Sequence, residues 1–285
     1  ILNAFNEKTP DWLSFFMFTF LTDRDGKFQL ASLAESGFDP LARSCNFMLT
    51  EEAHHLFVGE SGIARILRRT CEVMNELKTD DPSAVRAAGA IDLPTIQKYL
   101  NFHFSVTLDL YGSEISTNAA NFYAMGLKGR FDETNIADDQ ILTGSLYKVP
   151  DMDGEIITER EVPEVQALNE RLRDDYAEDC RKGVGRWNRL LEKNGTGFSL
   201  VLPHKTFNRR IGTFAQSHVS PEGRLLSEAD WTHHAGDWLP GGEDHVFVQS
   251  LMQPVTQPGR MAGWIAPPVR GINNQPLDFE YIRLI

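Results

Sequence analysis

The stretch Phe47-Met48-Leu49-Thr50-Glu51-Glu52-Ala53-His54-His55-Leu56-Phe57-Val58-Gly59-Glu60 decides the fold. It lacks proline and is rich in helix formers, so it reads as an inner helix of a bundle. It carries Glu-x-x-His in two overlapping frames, Glu51/His54 and Glu52/His55. Residues three apart share a helical face, and a carboxylate and an imidazole so placed can grip one metal ion. The helical wheel separates the frames. Glu52 and His55 continue into Met48, Gly59, Gly62 and Ile66, an apolar stripe with room beside the polar pair. Glu51 and His54 continue into Phe47, Val58, Ser61 and Arg65, a margin grading toward water. A buried carboxylate is costly unless a cation satisfies it, so Glu52 and His55 are the working pair. An isolated Glu-x-x-His is also the pattern of an ordinary surface pair, and its surroundings must raise it above that.

Composition bounds those surroundings. Of 285 residues, 41% are hydrophobic and 24% charged, as in soluble globular proteins. The net charge of −12 argues against nucleic acid as the main partner. Cys45, Cys71 and Cys180 form no CxxC pair and no disulfide framework, which points to a reduced cytoplasm. The apolar run Trp12 to Leu21 is too short to span a bilayer, so no membrane is expected. With no initiator Met, the opening Ile1-Leu2-Asn3-Ala4-Phe5 reads as the middle of an amphipathic segment, and a processed or partial chain is expected.

Upstream of the motif, Asp11 is placed to cap a helix that is apolar nearly all round and therefore buried. Thr22-Asp23-Arg24-Asp25-Gly26 ends it, with Gly26 as the stop. Asp23 continues the Phe16/Thr19/Phe20 face toward the core, or else is exposed and paired with Arg24. A short helix follows from Lys27 to Glu35. With Asp39 as N-cap and Pro40 at the first helical position, the motif helix then runs to about Leu77. Arg65, Arg68, Arg69 and Lys78 near its end read as a solvated cationic face.

Downstream, Pro82 to Ala88 forms a short helix, and Asp92-Leu93-Pro94 starts a long one from Thr95 to about Met125. His103 and Glu114 share a face of that helix and are held as reserve ligands. Leu146 to Pro150, the turn Asp151-Met152-Asp153-Gly154, and Glu155 to Val162 read as a β-hairpin. A helix spans about Val165 to Lys193, and the remainder is an irregular Gly/Pro-rich tail. The expected architecture is mainly α: residues 1–130 as the second half of a ferritin-like bundle, and 131–285 as an extension wrapped over it.

One carboxylate from one helix plus Glu-x-x-His from its neighbour is half of a carboxylate-bridged di-iron site. No Glu-x-x-His exists outside Glu51 to His55 in this sequence. Thr22-Asp23-Arg24-Asp25-Gly26, Leu49 to His55 and Leu108 to Glu114 resemble the oxygenase component of benzoyl-CoA 2,3-epoxidase. Gly126 to Phe131 and Trp264-Ile265-Ala266-Pro267-Pro268 extend the resemblance over essentially the whole chain. Proteins of that family are longer, with two further helices ahead that bring the other half of the site.

The resemblance implies Asp23, Glu52 and His55 as iron ligands, with Glu52 bridging or shifting, and Glu51 accepting a hydrogen bond from a histidine of the missing half. It implies O₂ and benzoyl-CoA as substrates. Electrons would come from NADPH through a separate flavin/iron–sulfur reductase. Phe16, Phe20 and Met48 are candidates for lining the substrate pocket, against ordinary core packing. His204-Lys205 and Arg209-Arg210 are candidates for the CoA phosphates. The rivals are a phenylacetyl-CoA epoxidase-type subunit and an iron-storing or structural ferritin-like protein. A zinc hydrolase fits poorly, because no His-Glu-x-x-His is present.

Overall fold

The computed structural model describes residues 3–130, 144–154, 156–257 and 260–270. Over them the protein is mainly α, with one β-hairpin and one two-residue strand pair. A first turn, α1 (Asn3–Asn6), precedes α2 (Trp12–Ala34), α3 (Asp39–Leu77), α4 (Pro82–Ala87) and α5 (Leu93–Leu108). After a 3₁₀ turn (Asp109–Tyr111) come α6 (Thr117–Ala124), strands β1 (Leu146–Asp153) and β2 (Ile156–Pro163), and α7 (Leu168–Lys193). The tail adds β3 (His218–Val219), β4 (Leu225–Leu226), α8 (Glu228–Trp238) and α9 (Gly242–Leu251).

Helix starts follow local chemistry. The side chains of Asp11, Asp81 and Asp92 accept backbone N–H groups at the starts of α2, α4 and α5. The start of α3 is displaced by one residue: Phe38 holds the N-cap position and Asp39 is already helical. Gly26 does not end α2, which continues to Ala34, so the expected short helix is its last part. The reason is tertiary. Phe28 and Ser32 are buried beyond the expected stop, with Phe28 edge-on to Tyr176 of α7.

The long helix expected from Thr95 to Met125 is broken instead. It stops at Leu108, and Gly112 adopts a positive φ of 79°. The freed carbonyls have a partner: Arg173 of α7 donates to Leu108 O at 3.3 Å and to Gly112 O. The hairpin exists, with β1 longer than expected, so Asp151 to Asp153 lie in the strand and not in the turn; Glu155 lies outside the described residues. The tail is less irregular than expected, since Ser227 caps α8, and Gly241 and Asp244 open α9.

α2 and α3 run antiparallel in close contact. Phe20 meets Gly59, Phe16 meets Gly62, and Gly26 meets Glu52. A Cβ at Gly59 would lie 2.4 Å from Phe20 N and 2.8 Å from Thr19 C, so only hydrogen fits there. Gly59→Ala should therefore cost about 1–3 kcal/mol through overpacking, read as a lower urea midpoint. Gly185→Ala on α7, where the nearest atom is 4.0 Å away, should not destabilise.

One core cluster joins Leu13, Met17 and Leu21 of α2, Ile63, Ile66 and Leu67 of α3, Ile96, Leu100 and Phe104 of α5, and Tyr176, Cys180 and Trp187 of α7. The helix of the expected extension is thus part of the same core as α2 and α3, and the 130/131 boundary adjoins residues outside the description. Arg65 and Arg69 are not a solvated face: their Nε atoms donate to Ala266 O at 2.8 Å and Gly263 O at 2.9 Å, strapping the tail onto α3.

His103 lies inside α5 between Tyr99 and Phe102, fully enclosed, and is a core residue. Burial, helped by His245, lowers its pKa from 6.5 to about 3. Between those values the unfolded chain takes up a proton that the folded chain refuses. Stability should therefore fall as pH drops below 6.5, by up to about 1.4 kcal/mol per pH unit. Urea midpoints against pH should show a shallower acid slope in His103→Gln than in the parent.

Candidate metal centre

The antiparallel contact brings Asp23 of α2 to the level of Glu52 and His55 of α3. His55 Nδ1 lies 3.7 Å from Asp23 Oδ2 and 3.8 Å from Glu52 Oε2. One ligand atom from each residue lies within 4.8 Å of the other two. These separations are too long for hydrogen bonds but suit three ligands of one ion. Among the described residues this is the one group of three acidic, His or Cys side chains so spaced.

The electrostatics agree. Burial, the neighbouring Glu52 charge and a partial offset from His55 leave the Asp23 pKa at about 6. Burial also raises Glu52, against His55. Glu52 Oε2 is buried without a hydrogen-bond partner. Two desolvated carboxylates with an orphaned oxygen are what a bound cation would neutralise, and O/N donors of this kind suit iron. The residues present fit the metal implied by the resemblance.

Glu51 and His54 are exposed, but so is His55, which the helical wheel places on a buried stripe; only Asp23 and Glu52 of the cluster are partly buried. Large apolar side chains here are open on both sides of the helix: Phe47 and Phe57 are 71% and 68% exposed, and Met48 on the Glu52/His55 side is open too. Asp23 is not paired with Arg24, which turns the other way to bond Asp179 at 2.6 Å. Asp25 is buried and its pKa is pushed up to about 7 by desolvation.

The substrate candidates divide. Phe20 is a core residue, with its ring 4.3 Å from that of Trp187 and against Gly183. Phe16 packs on Gly62. Both pack to join α2 to α3 and α7. Arg209 is buried in ion pairs with Asp109 at 2.6 Å and Glu114 at 3.4 Å, which leaves it no freedom to meet a phosphate. Arg210 reaches Glu7 at 2.8 Å on the surface.

Lys205 contacts Glu170 at 2.7 Å and Asp174 at 2.5 Å. It borders a cavity of about 680 Å³ that also touches Ala177, Arg181, Val184 and Asn188. Those four recur on a different face of α7 from Gly183 and Trp187, which meet Phe20. The cavity is therefore separated from Asp23 and Glu52 by the helix.

The sequence did not reveal the charged cluster of Arg173, Arg209, Glu114, Glu170 and Asp109. Its signal was indirect: Glu170 and Arg173 stand three apart in α7 and bond each other.

Fold and site define a mainly α protein that presents a three-residue acid/histidine cluster on two packed helices. The chain is 67% identical, over 283 residues, to benzoyl-CoA oxygenase component B of Aromatoleum evansii. The match covers 99% of this chain and 60% of that protein, so the chain spans about three fifths of the relative's length. The resemblance read from the motifs and this relative agree. No protein-family model matches the chain.

Proposed function

We propose that this chain carries half of the metal site of a di-iron oxygenase that epoxidises benzoyl-CoA at the 2,3-position. The observation that carries the reading is the Asp23/Glu52/His55 cluster with its unsatisfied Glu52 oxygen. The identity to a protein named for benzoyl-CoA oxygenation supports it. Asp23 and Glu52 would hold iron through carboxylate oxygens. His55, which turns Nδ1 toward both, would hold it through nitrogen.

The remaining ligands would come from another segment of the complete protein, laid over the open α3 side that carries Phe47, Phe57 and Glu51. Glu51, exposed on that face, is placed to accept a hydrogen bond from an incoming histidine. Covering this face would also exclude water from the site. The chemistry the metal pair supplies is reduction of O₂, with one oxygen atom delivered to the ring and the other released as water. Its two electrons would reach it from NADPH through a separate flavin/iron–sulfur reductase. Phe16 and Phe20 act by holding α2 at the spacing that brings Asp23 to the α3 pair.

The test is O₂ uptake by the complete, iron-loaded protein with reductase, NADPH and benzoyl-CoA, with ¹⁸O₂ label traced into the product. Uptake that depends on benzoyl-CoA, with one labelled atom per product, is expected. Iron accumulation without such turnover would identify a storage protein instead. Turnover confined to phenylacetyl-CoA would assign the related epoxidase.

A further inference from the structure

We propose that Gly26 is a positioning residue for this site: the bare backbone of α2 at Gly26 is the surface on which the Glu52 carboxylate rests. The inference builds on the reading of Asp23, Glu52 and His55 as ligands of a divalent cation. Gly26 lies inside a continuous helix, where only proline is less favourable. No positive φ demands glycine there. Its neighbours supply the reason. A Cβ at Gly26 would lie 3.3 Å from Glu52 Oε1, 3.4 Å from Cδ and 3.6 Å from Oε2, and those three atoms belong to one carboxylate.

The other glycines of this contact differ. At Gly59 a Cβ would strike backbone, and at Gly62 an aromatic ring, so both serve the approach of the helices. Gly26 faces the ligand itself. A methyl at 3.3 Å is tight but not prohibited; the Glu52 side chain would yield by a few tenths of an ångström. The fold can absorb that shift. A site whose His55–carboxylate separations are 3.7 and 3.8 Å, and whose Glu52 oxygen waits unpartnered, cannot absorb it without losing coordination geometry. Alanine at this position should therefore favour the helix and harm the site.

The test uses the complete protein, its Gly26→Ala, Glu52→Gln and Gly185→Ala variants, and Co²⁺ as the probe under anaerobic conditions. Thermal unfolding of the metal-free forms is followed beside a Co²⁺ titration read by visible absorption. Gly26→Ala should raise the metal-free melting temperature by about 2 °C. It should also weaken Co²⁺ binding by about tenfold or more and shift the absorption bands. Gly185→Ala, which adds the same methyl away from the site, should leave affinity and spectrum unchanged. A Gly26→Ala protein with parental affinity and spectrum, while Glu52→Gln loses Co²⁺, would overturn this inference and leave the metal site standing. A lower melting temperature for metal-free Gly26→Ala would also overturn it, by assigning the glycine to packing. Equal titrations of the parent and Glu52→Gln would refute the metal reading, and this inference with it.

Discussion

Replacing Glu52 or His55 by alanine in the complete protein is expected to empty the metal site and end turnover while the helices stay folded. Glu52 is two-sided: it holds an unsatisfied buried oxygen and raises the pKa of Asp23. Removing it relieves repulsion in the metal-free protein, so its stability should hold or rise. Metal affinity should fall by more than the ~100-fold that loss of an outer partner can cost. Iron analysis and circular dichroism together check this, since a folding defect would lower both. His54→Ala should retain iron, because His54 lies outside the Asp23/Glu52/His55 group, whereas Glu51→Ala should weaken iron binding by no more than ~100-fold. Iron lost in His54→Ala and kept in His55→Ala would assign the metal to the other frame. Asp23→Ala should lower occupancy at one iron.

The second large effect is expected far from the metal. Arg173 is fully enclosed and bonds Glu170, Leu108 O and Gly112 O, with Glu114 3.8 Å away. Truncation to alanine would leave Glu170 buried beside Lys205 alone and uncap the end of α5. A cost of about 3–5 kcal/mol is expected, measured as a drop in urea midpoint. Arg173→Lys should not restore the parent, because one ammonium cannot reach the same set of carbonyls and carboxylates. Arg181→Ala, whose partner Glu178 sits beside it on the surface, should change stability by less than about 0.5 kcal/mol.

The starts of α2, α4 and α5 were legible because a capping aspartate and the N–H groups it satisfies are two or three residues apart. That Glu52 and His55 share one side of α3 was legible too, since a helix turns its faces by a fixed angle per residue. Asp23 was left open between core and solvent, because its orientation depends on how α2 lies against α3. That Lys205, Arg209 and Arg210 already hold carboxylates was not legible, for a similar reason. A basic residue has the same sequence signature whether it waits for a phosphate or already holds a carboxylate.

By itself, the sequence determined the mainly α character, the aspartate-capped starts of α2, α4 and α5, and the hairpin. Each of these rests on interactions among residues only a few positions apart. Only the tertiary structure decided that α2 passes through Gly26, that α5 stops before Gly112, and that Arg65 and Arg69 hold the tail. Burial of Phe28 against Tyr176 outweighs a local stop signal, and Arg173 satisfies carbonyls that a continued helix would have paired. Those partners are distant in sequence, and no local pattern records them.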